Sequence, residues 1–382
     1  MLIAQIKLMR ELAEKTGKKP SRRRVYHFTI DEETGGNGTL SLAGHPPLAG
    51  VSVLVHEPTG LRPFCAHRGC VYYRCRLSGA GLPELSALEM FPFVVLALEK
   101  EGRRLREETN TPMFLPAHAQ TNHGMLGHYG HACGSVCDHV AFEISTKAKA
   151  NPERIGMKMV EFLDEAMLAY IKIYGDKTRE NDPTTGKPKL ARHFEVKVAP
   201  GPEFHIIYLH IFGKGGHMAA SAECDNAITK AAWLLAAMMQ MSQRFPGVRT
   251  FGRLLDEKTD AAGADPRRVP SEIVLQGGQG FTPSHRMEDV KARLAAAAAR
   301  GVQKYCAFKR IAFRDEMVRT SFDLLHNDAY AASPEIEPMQ ALESAFAALG
   351  EPWPAPVAWE TSCDARIYHH KCYPTAIFGA GR

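Results

Sequence analysis

Apolar residues recur at helical spacing through Met1–Gly17, where Leu2, Ile3, Ile6, Leu8, Met9 and Leu12 fall on one side with charges between them. That pattern predicts an amphipathic helix. An apolar run over Val25–Ile30 then predicts a strand that delivers Asp31-Glu32-Glu33-Thr34-Gly35-Gly36, and Val51–Val55 predicts another that ends in His56-Glu57-Pro58-Thr59-Gly60. Helix lies between them, so acidic residues are expected at the ends of two strands of one sheet, where ligand sites of open α/β sheets lie.

Beyond residue 63 the pattern predicts a strand over Val71–Leu77, a helix over Ser86–Arg104, a Gly/His-rich bend over Asn122–Gly134 and a strand over Val140–Ser145. A long helix is then expected from Asn151, its N-cap, to Tyr174, with Gly175 as its stop signal and a loop over 176–191. A second round follows, with strands at His193–Val198, Phe204–Phe212 and Ile273–Gln276. Its helices are expected at Ala227–Met241 and at Met287–Arg300, the latter closed by Gly301. The two rounds echo each other, which leaves open an internal duplication. The tail predicts a helix around Met339–Leu349, a Pro-rich turn at Pro352–Pro356 and a short strand at Thr375–Phe378.

Composition changes this picture little. At 382 residues, 45% hydrophobic and 23% charged, the chain reads as a globular protein of more than one domain. No apolar run is long enough for a membrane span and no cleavable signal opens the chain, so a cytoplasmic protein without membrane partners is expected. The net charge of +5 is mild, and its one dense basic cluster, Lys18, Lys19, Arg22, Arg23 and Arg24, has no aromatic residues for stacking on bases. It reads as a solvated loop, and no nucleic-acid partner is expected. Nine cysteines lack the paired spacing of structural zinc sites and read as free thiols of a reducing compartment. The histidines His123, His128, His131 and His139 read as structural rather than as a metal cluster.

Chemistry concentrates in the acidic pair Glu32–Glu33. Adjacent carboxylates raise each other's pKa unless a cation neutralises them, and a divalent metal does so while leaving one carboxylate free to move protons. Surface runs of this composition are common, so the pair alone leaves both readings open. Glu57 lies 24 positions beyond Glu33, at the end of the next apolar strand.

The run Phe28–Gly36, then Glu57-Pro58-Thr59-Gly60-Leu61 and Ala66-His67-Arg68-Gly69, resembles the family of acetylornithine deacetylase, succinyl-diaminopimelate desuccinylase, aminoacylase and carboxypeptidase G. Gly213–Ala220 with Asn226-Ala227-Ile228 resembles its lid motif. Ser362-Cys363-Asp364-Ala365-Arg366 resembles its late Ser-Asp-Ala-Arg signature, and Pro374–Gly381 its closing strand. The resemblance implies a two-zinc amide hydrolase, with cobalt or manganese as substitutes. It makes Glu32 the general base and acid, Glu33 and Glu57 metal ligands, and His217 the residue that stabilises the oxyanion in a partner subunit's site. It implies small peptides or N-acyl amino acids as substrates and a homodimer as the assembly. It assigns no substrate-binding residues.

The implied architecture is α/β. A partial zinc-peptidase-like catalytic domain of mixed sheet spans 1–62 and 333–382, with an inserted α+β ferredoxin-like lid and dimerisation domain, doubled or interrupted by an insertion, at 63–332. The strand ending Leu77-Ser78-Gly79-Ala80-Gly81-Leu82 has no lid histidine, which comes only at His217. The family's His-x-Asp motif and bridging Asp are not found in the 31 residues before Glu32, nor its last histidine after Gly381. Each metal then keeps one carboxylate, which holds zinc poorly. The chain is therefore expected to be a fragment, inactive or nearly so as it stands. The rival expectation is a non-catalytic dimerising remnant of the same family.

Overall fold

The computed structural model describes residues 2–17, 25–32, 35–44, 51–82, 85–147, 151–177, 180–181, 185, 188–189, 192–240, 248–254, 270–324 and 326–381. Glu33 and the basic cluster Lys18–Arg24 lie outside them. The chain opens with helices α1 (Leu2–Thr16) and α2 (Asn37–Ala43) and the strand β1 (Val53–Val55). Next come β2 (Ala66–His67), β3 (Gly69–Ser78), α3 (Ala87–Glu107) and β4 (Thr121–Leu126). The middle holds β5 (Ser135–Val136), β6 (His139–Lys147), α4 (Pro152–Tyr174) and the small hairpin of β7 (Glu180–Asn181) and β8 (Pro188–Lys189). After these run β9 (Phe194–Ala199), β10 (Phe204–Phe212), β11 (Gly216–His217), α5 (Ala227–Gln240) and β12 (Val248–Leu254). The chain closes with β13 (Glu272–Phe281), α6 (Met287–Lys309), β14 (Val318–Ser321), β15 (Tyr330–Ala331), α7 (Glu337–Leu349), α8 (Ala365–His370) and β16 (Thr375–Ile377).

Two four-stranded antiparallel sheets dominate, ordered β14-β3-β13-β4 and β12-β6-β10-β9. The first is built from β3, α3, β4, β13, α6 and β14, and the second from β6, α4, β9, β10, α5 and β12. Both run strand, helix, strand, strand, helix, strand, and both place their first strand between their fourth and third. That is the ferredoxin-like arrangement. The second unit is inserted whole between the second and third strands of the first. The two alternatives open in the sequence therefore combine: the insertion is itself a repeat of the topology.

The two units share one core. Phe91 of α3 stacks on Phe142 of β6 at 5.8 Å, and Thr229 of α5 donates its hydroxyl to Glu99 Oε1 of α3 at 3.1 Å. β10 alternates half-buried and buried positions along its length, with Ile207, Leu209 and Ile211 turned inward, as a strand with one covered face requires. Asn151 caps α4 as expected, its side chain accepting from Glu153 N and Arg154 N.

Three expectations for local structure fail. Val25–Ile30 forms no strand, and β1 pairs instead with β16, in parallel, Val53 opposite Thr375. An apolar run signals extended backbone but not the ladder partner. The bend expected at Asn122–Gly134 begins as β4, because Thr121–Leu126 pairs with β13. Gly301 does not end its helix: α6 continues to Lys309, and Arg310 at φ 58° closes it. Gly301 is where α6 crosses α3, and a Cβ there would sit 2.6 Å from Val94 Cα and 2.8 Å from Phe93 O. Gly301→Ala should therefore destabilise by about 1–3 kcal/mol through overpacking, although helix propensity alone predicts a gain of about 1 kcal/mol. Urea denaturation decides the sign.

All nine cysteines are free thiols. Among the described residues no helix is long and apolar enough to cross a membrane.

Candidate active site

The ends of the chain meet around β1 and β16. Past β1, the Glu57-Pro58-Thr59-Gly60 turn is latched onto the segment after β16. Gly60 N donates to Gly381 O at 2.6 Å and Leu61 N to Gly379 O at 2.8 Å. Thr59 Oγ1 donates to Gly379 O at 3.0 Å and accepts from Gly379 N at 2.9 Å. These bonds fix where the half-buried Glu57 projects from the sheet.

The second acidic turn is built on the segment leading into α8. Asp31 and Gly36 take left-handed backbone, φ 65° and 74°, and Gly36 N closes the turn onto Asp31 O at 2.6 Å. A side chain at Gly36 would collide with Asp364 Oδ1 and Ile367, so glycine is needed both for its φ and for the close approach. Arg366, buried, donates to Cys363 O at 2.8 Å and Gly35 O at 3.1 Å. Thr39 of α2 donates its hydroxyl to Asp364 Oδ2. Glu32 therefore sits in a turn clamped from both sides, not at the end of a strand as the apolar run suggested.

Cys363 packs in one small core with Val55, Phe64 and Ile377. This thiol is fully buried, and its pKa is driven well above the usual range by burial first, then by the negative charge of Glu57 and, more weakly, that of Glu32. The two carboxylates singled out in the sequence thus act on one buried sulfur.

His67 braces the same point. It is fully buried, packed edge-on to Tyr330 at 4.7 Å. Its Nδ1 lies 2.8 Å from Arg68 O, and its Nε2 lies 3.1 Å from Cys363 O and 3.5 Å from Cys363 N. A proton on Nδ1 serves Arg68 O and leaves Nε2 to accept from Cys363 N. Burial, offset in part by these bonds, holds the imidazole down to about 3 from an ordinary value near 6.5. The unfolded chain takes up a proton that the folded one excludes, so this stability is complete above about pH 6.5 and is lost as pH falls towards 3. Denaturation at pH 7.5 and pH 5 should show the loss, and the loss should be smaller in His67→Gln.

His217 lies on the inserted domain, exposed, in β11. Its Nδ1 accepts from Ala219 N at 3.2 Å. The turn that carries it approaches the site's neighbourhood through a run of contacts. Met218 Sδ lies 3.8 Å from Cys70 Sγ, Cys70 N donates to Asn327 O at 2.7 Å, and Asn327 Nδ2 donates to Ser362 Oγ at 2.8 Å. Of the other histidines, His123 meets Tyr73 OH at 2.6 Å, while His128 packs on Tyr129, which meets His139 edge-on, and His139 stacks on His210.

Sequence reasoning gave no roles to His67, Cys363, Asp364 or Arg366. The signal was present, since all four lie in motifs that carry the resemblance, but their clamping action exists only in the fold. Carboxylates suit a divalent cation in charge and donor type. Among the described residues, however, no three His, Cys, Asp or Glu side chains gather as a metal ion requires, and both ring nitrogens of His67 face backbone atoms. The described residues supply part of a ligand set and do not complete one.

No protein-family model matches the chain. Over 117 residues it is 28% identical to acetylornithine deacetylase of Photorhabdus laumondii subsp. laumondii, a match covering 29% of this chain and 30% of that protein. Among solved structures it is similar to the dipeptidase Dug1p from Saccharomyces cerevisiae, with a TM-score of 0.40 and 10% identity over 92% of this chain and 57% of that one. Human carnosine dipeptidase 1 gives 0.39 and 8%, over 91% and 58%. The chain thus spans 30% of the deacetylase it matches and little more than half of either dipeptidase.

Fold and site define a mixed α/β protein with a clamped acidic site and a nested pair of ferredoxin-like units. Over the 117 matched residues the chain is similar to an acetylornithine deacetylase.

Proposed function

We propose that the protein is a metal-dependent hydrolase of amide bonds, acting on N-acyl amino acids or small peptides. One observation carries this reading: the turns that hold Glu32 and Glu57 are both anchored to the closing segment 363–381, through Arg366 to Gly35 O and through Gly60 and Leu61 to Gly381 and Gly379. The relation to a deacetylase over 117 residues supports it.

In this reading residues 1–62 and 333–382 form the catalytic part, and 63–332 form the inserted part on which a homodimer is built. Glu33 and Glu57 hold divalent cations, zinc first and cobalt or manganese as substitutes. When bound, such a cation supplies charge stabilisation and a more acidic water. Glu32 takes the proton of the attacking water and returns it to the leaving amine, which needs a carboxylate held in place by its turn. The clamp of Arg366 and Gly36 provides that hold. His217 Nε2–H donates to the oxygen on which negative charge develops. The free thiols fit a reducing compartment, and we place the protein in the cytoplasm.

With so few carboxylates as ligands, cation binding is weak, on the order of millimolar, and turnover is low unless metal is added in excess. The test is release of free amine from a panel of N-acyl amino acids and dipeptides, with zinc, cobalt or manganese added and again with a chelator. Slow, metal-stimulated release from at least one member is expected, and none with chelator. No release from any member with any metal overturns the reading and leaves the non-catalytic dimerising remnant.

A further inference from the structure

A cavity of about 300 Å³ opens at the seam between the two ferredoxin-like units, at the small end of the range of about 300–1,000 Å³ in which ligand pockets fall. α3 and β4 of the first unit line it, together with the end of α4 and the turn that follows His217 in the second.

Two cations line the cavity. Arg106 donates to Ala119 O at 3.2 Å and Thr121 Oγ1 at 3.5 Å, and Lys177 donates to Ser221 O at 3.2 Å. Both therefore meet neutral oxygens and bring their full charge to the cavity. Glu99 lines it as well, its side chain 11% exposed. Its Oε1 accepts from Thr229 Oγ1 at 3.1 Å and lies 3.2 Å from His123 Nε2, which is not aligned for a hydrogen bond. Asp225, also in the lining, is already matched by Lys230 at 2.7 Å and by the Tyr170 hydroxyl at 2.7 Å. The lining charges that remain are two positive and one negative.

Gln120 supplies the second, independent observation. It is 8% exposed, its amide N–H is spent on Ala219 O at 3.3 Å, and its Oε1 is buried without a hydrogen-bond partner among the described residues. Buried carbonyl oxygens are seldom left unpaired. Gln120 lines the cavity next to Thr121 and Asn122, so this unpaired oxygen lies within the cavity wall. Tyr174, stacked on Tyr170 at 4.6 Å, adds an apolar wall.

We propose that this cavity binds a free α-amino acid. Its carboxylate is held by Arg106 and Lys177, and its ammonium donates to Glu99. The surplus of one positive charge favours an acidic side chain, which gives the ligand a net charge of −1 to match. The site is separate from Glu32 and Glu57 and does not depend on the function proposed above.

Calorimetric titration of the full chain tests it with L-glutamate, glycine and glutarate, which lacks the ammonium. L-Glutamate should bind saturably at one site, and glycine and glutarate at least tenfold more weakly. Arg106→Gln and the half-buried Lys177→Gln should each weaken L-glutamate binding at least tenfold, while Glu32→Gln and Glu57→Gln leave it unchanged. Glutarate binding as tightly as L-glutamate would overturn the assignment, as would no heat with any amino acid. So would loss of binding in Glu57→Gln with retention in Lys177→Gln, because the ligand would then be seated at the acidic site.

Discussion

Replacing Glu32 by Gln should lower metal-stimulated amide hydrolysis by about 10²–10⁴-fold, the range by which a positioned general base accelerates proton transfer. Gln keeps the shape of the side chain, and backbone bonds and Arg366 hold the turn. The loss should appear in kcat with little change in stability. Equal rates for the two proteins, measured by amine release at saturating metal, would show that Glu32 takes no part in the chemistry. A matched fall in stability would instead make its role structural.

The second large effect lies in the inserted domain. Lys230 of α5 and Asp225 form an ion pair at 2.7 Å whose side chains are 0% and 2% exposed. Lys230 also donates to Phe212 O at the end of β10, and Tyr170 of α4 donates to Asp225. Three elements of the second unit are thus tied at one point. Asp225 pairs in turn with Lys214 through the backbone, 2.8 and 3.0 Å, and so fixes the base of the His217 turn. Burial pulls the Lys230 ammonium down from its usual range, so the pair stands on its partnership. Lys230→Met leaves a buried carboxylate without its cation and should cost about 3–5 kcal/mol. Adding Asp225→Asn should recover much of this, since an amide tolerates burial better than an unpaired charge. Urea melts of the three proteins measure it, and a single-variant cost below about 1 kcal/mol, the worth of an exposed pair, would contradict the assignment.

What the sequence made legible follows from which forces are local. Periodicity and end signals located α4 from Asn151 to Gly175 and the strand Phe204–Phe212 closely, because caps and alternation are written in neighbouring residues. Pairing is not local. β3 pairs with β13 across nearly two hundred residues, Ser78 opposite Glu272, and no short pattern announces that a second unit lies between. Gly301 was misread for the same reason: a glycine that ends a helix and one that admits a neighbouring helix look alike until Val94 is placed beside it. At the site, residue type and spacing picked out Glu32 and Glu57, and the anchoring of both turns to the closing segment depends on contacts made across more than three hundred residues. Gly36 shows both levels at once. Its identity suggested a sharp turn, but the need to pass Asp364 is visible only in the fold.

The central claim is that Glu57 belongs to a cation-binding, amide-hydrolysing site. It is tested most directly by the rate of amine release as a function of zinc concentration, for the unaltered protein and for Glu57→Gln side by side. The account predicts that Glu57→Gln needs at least tenfold more zinc for half its maximal rate. Two superimposable curves, or rates in both proteins that do not respond to zinc, would contradict it.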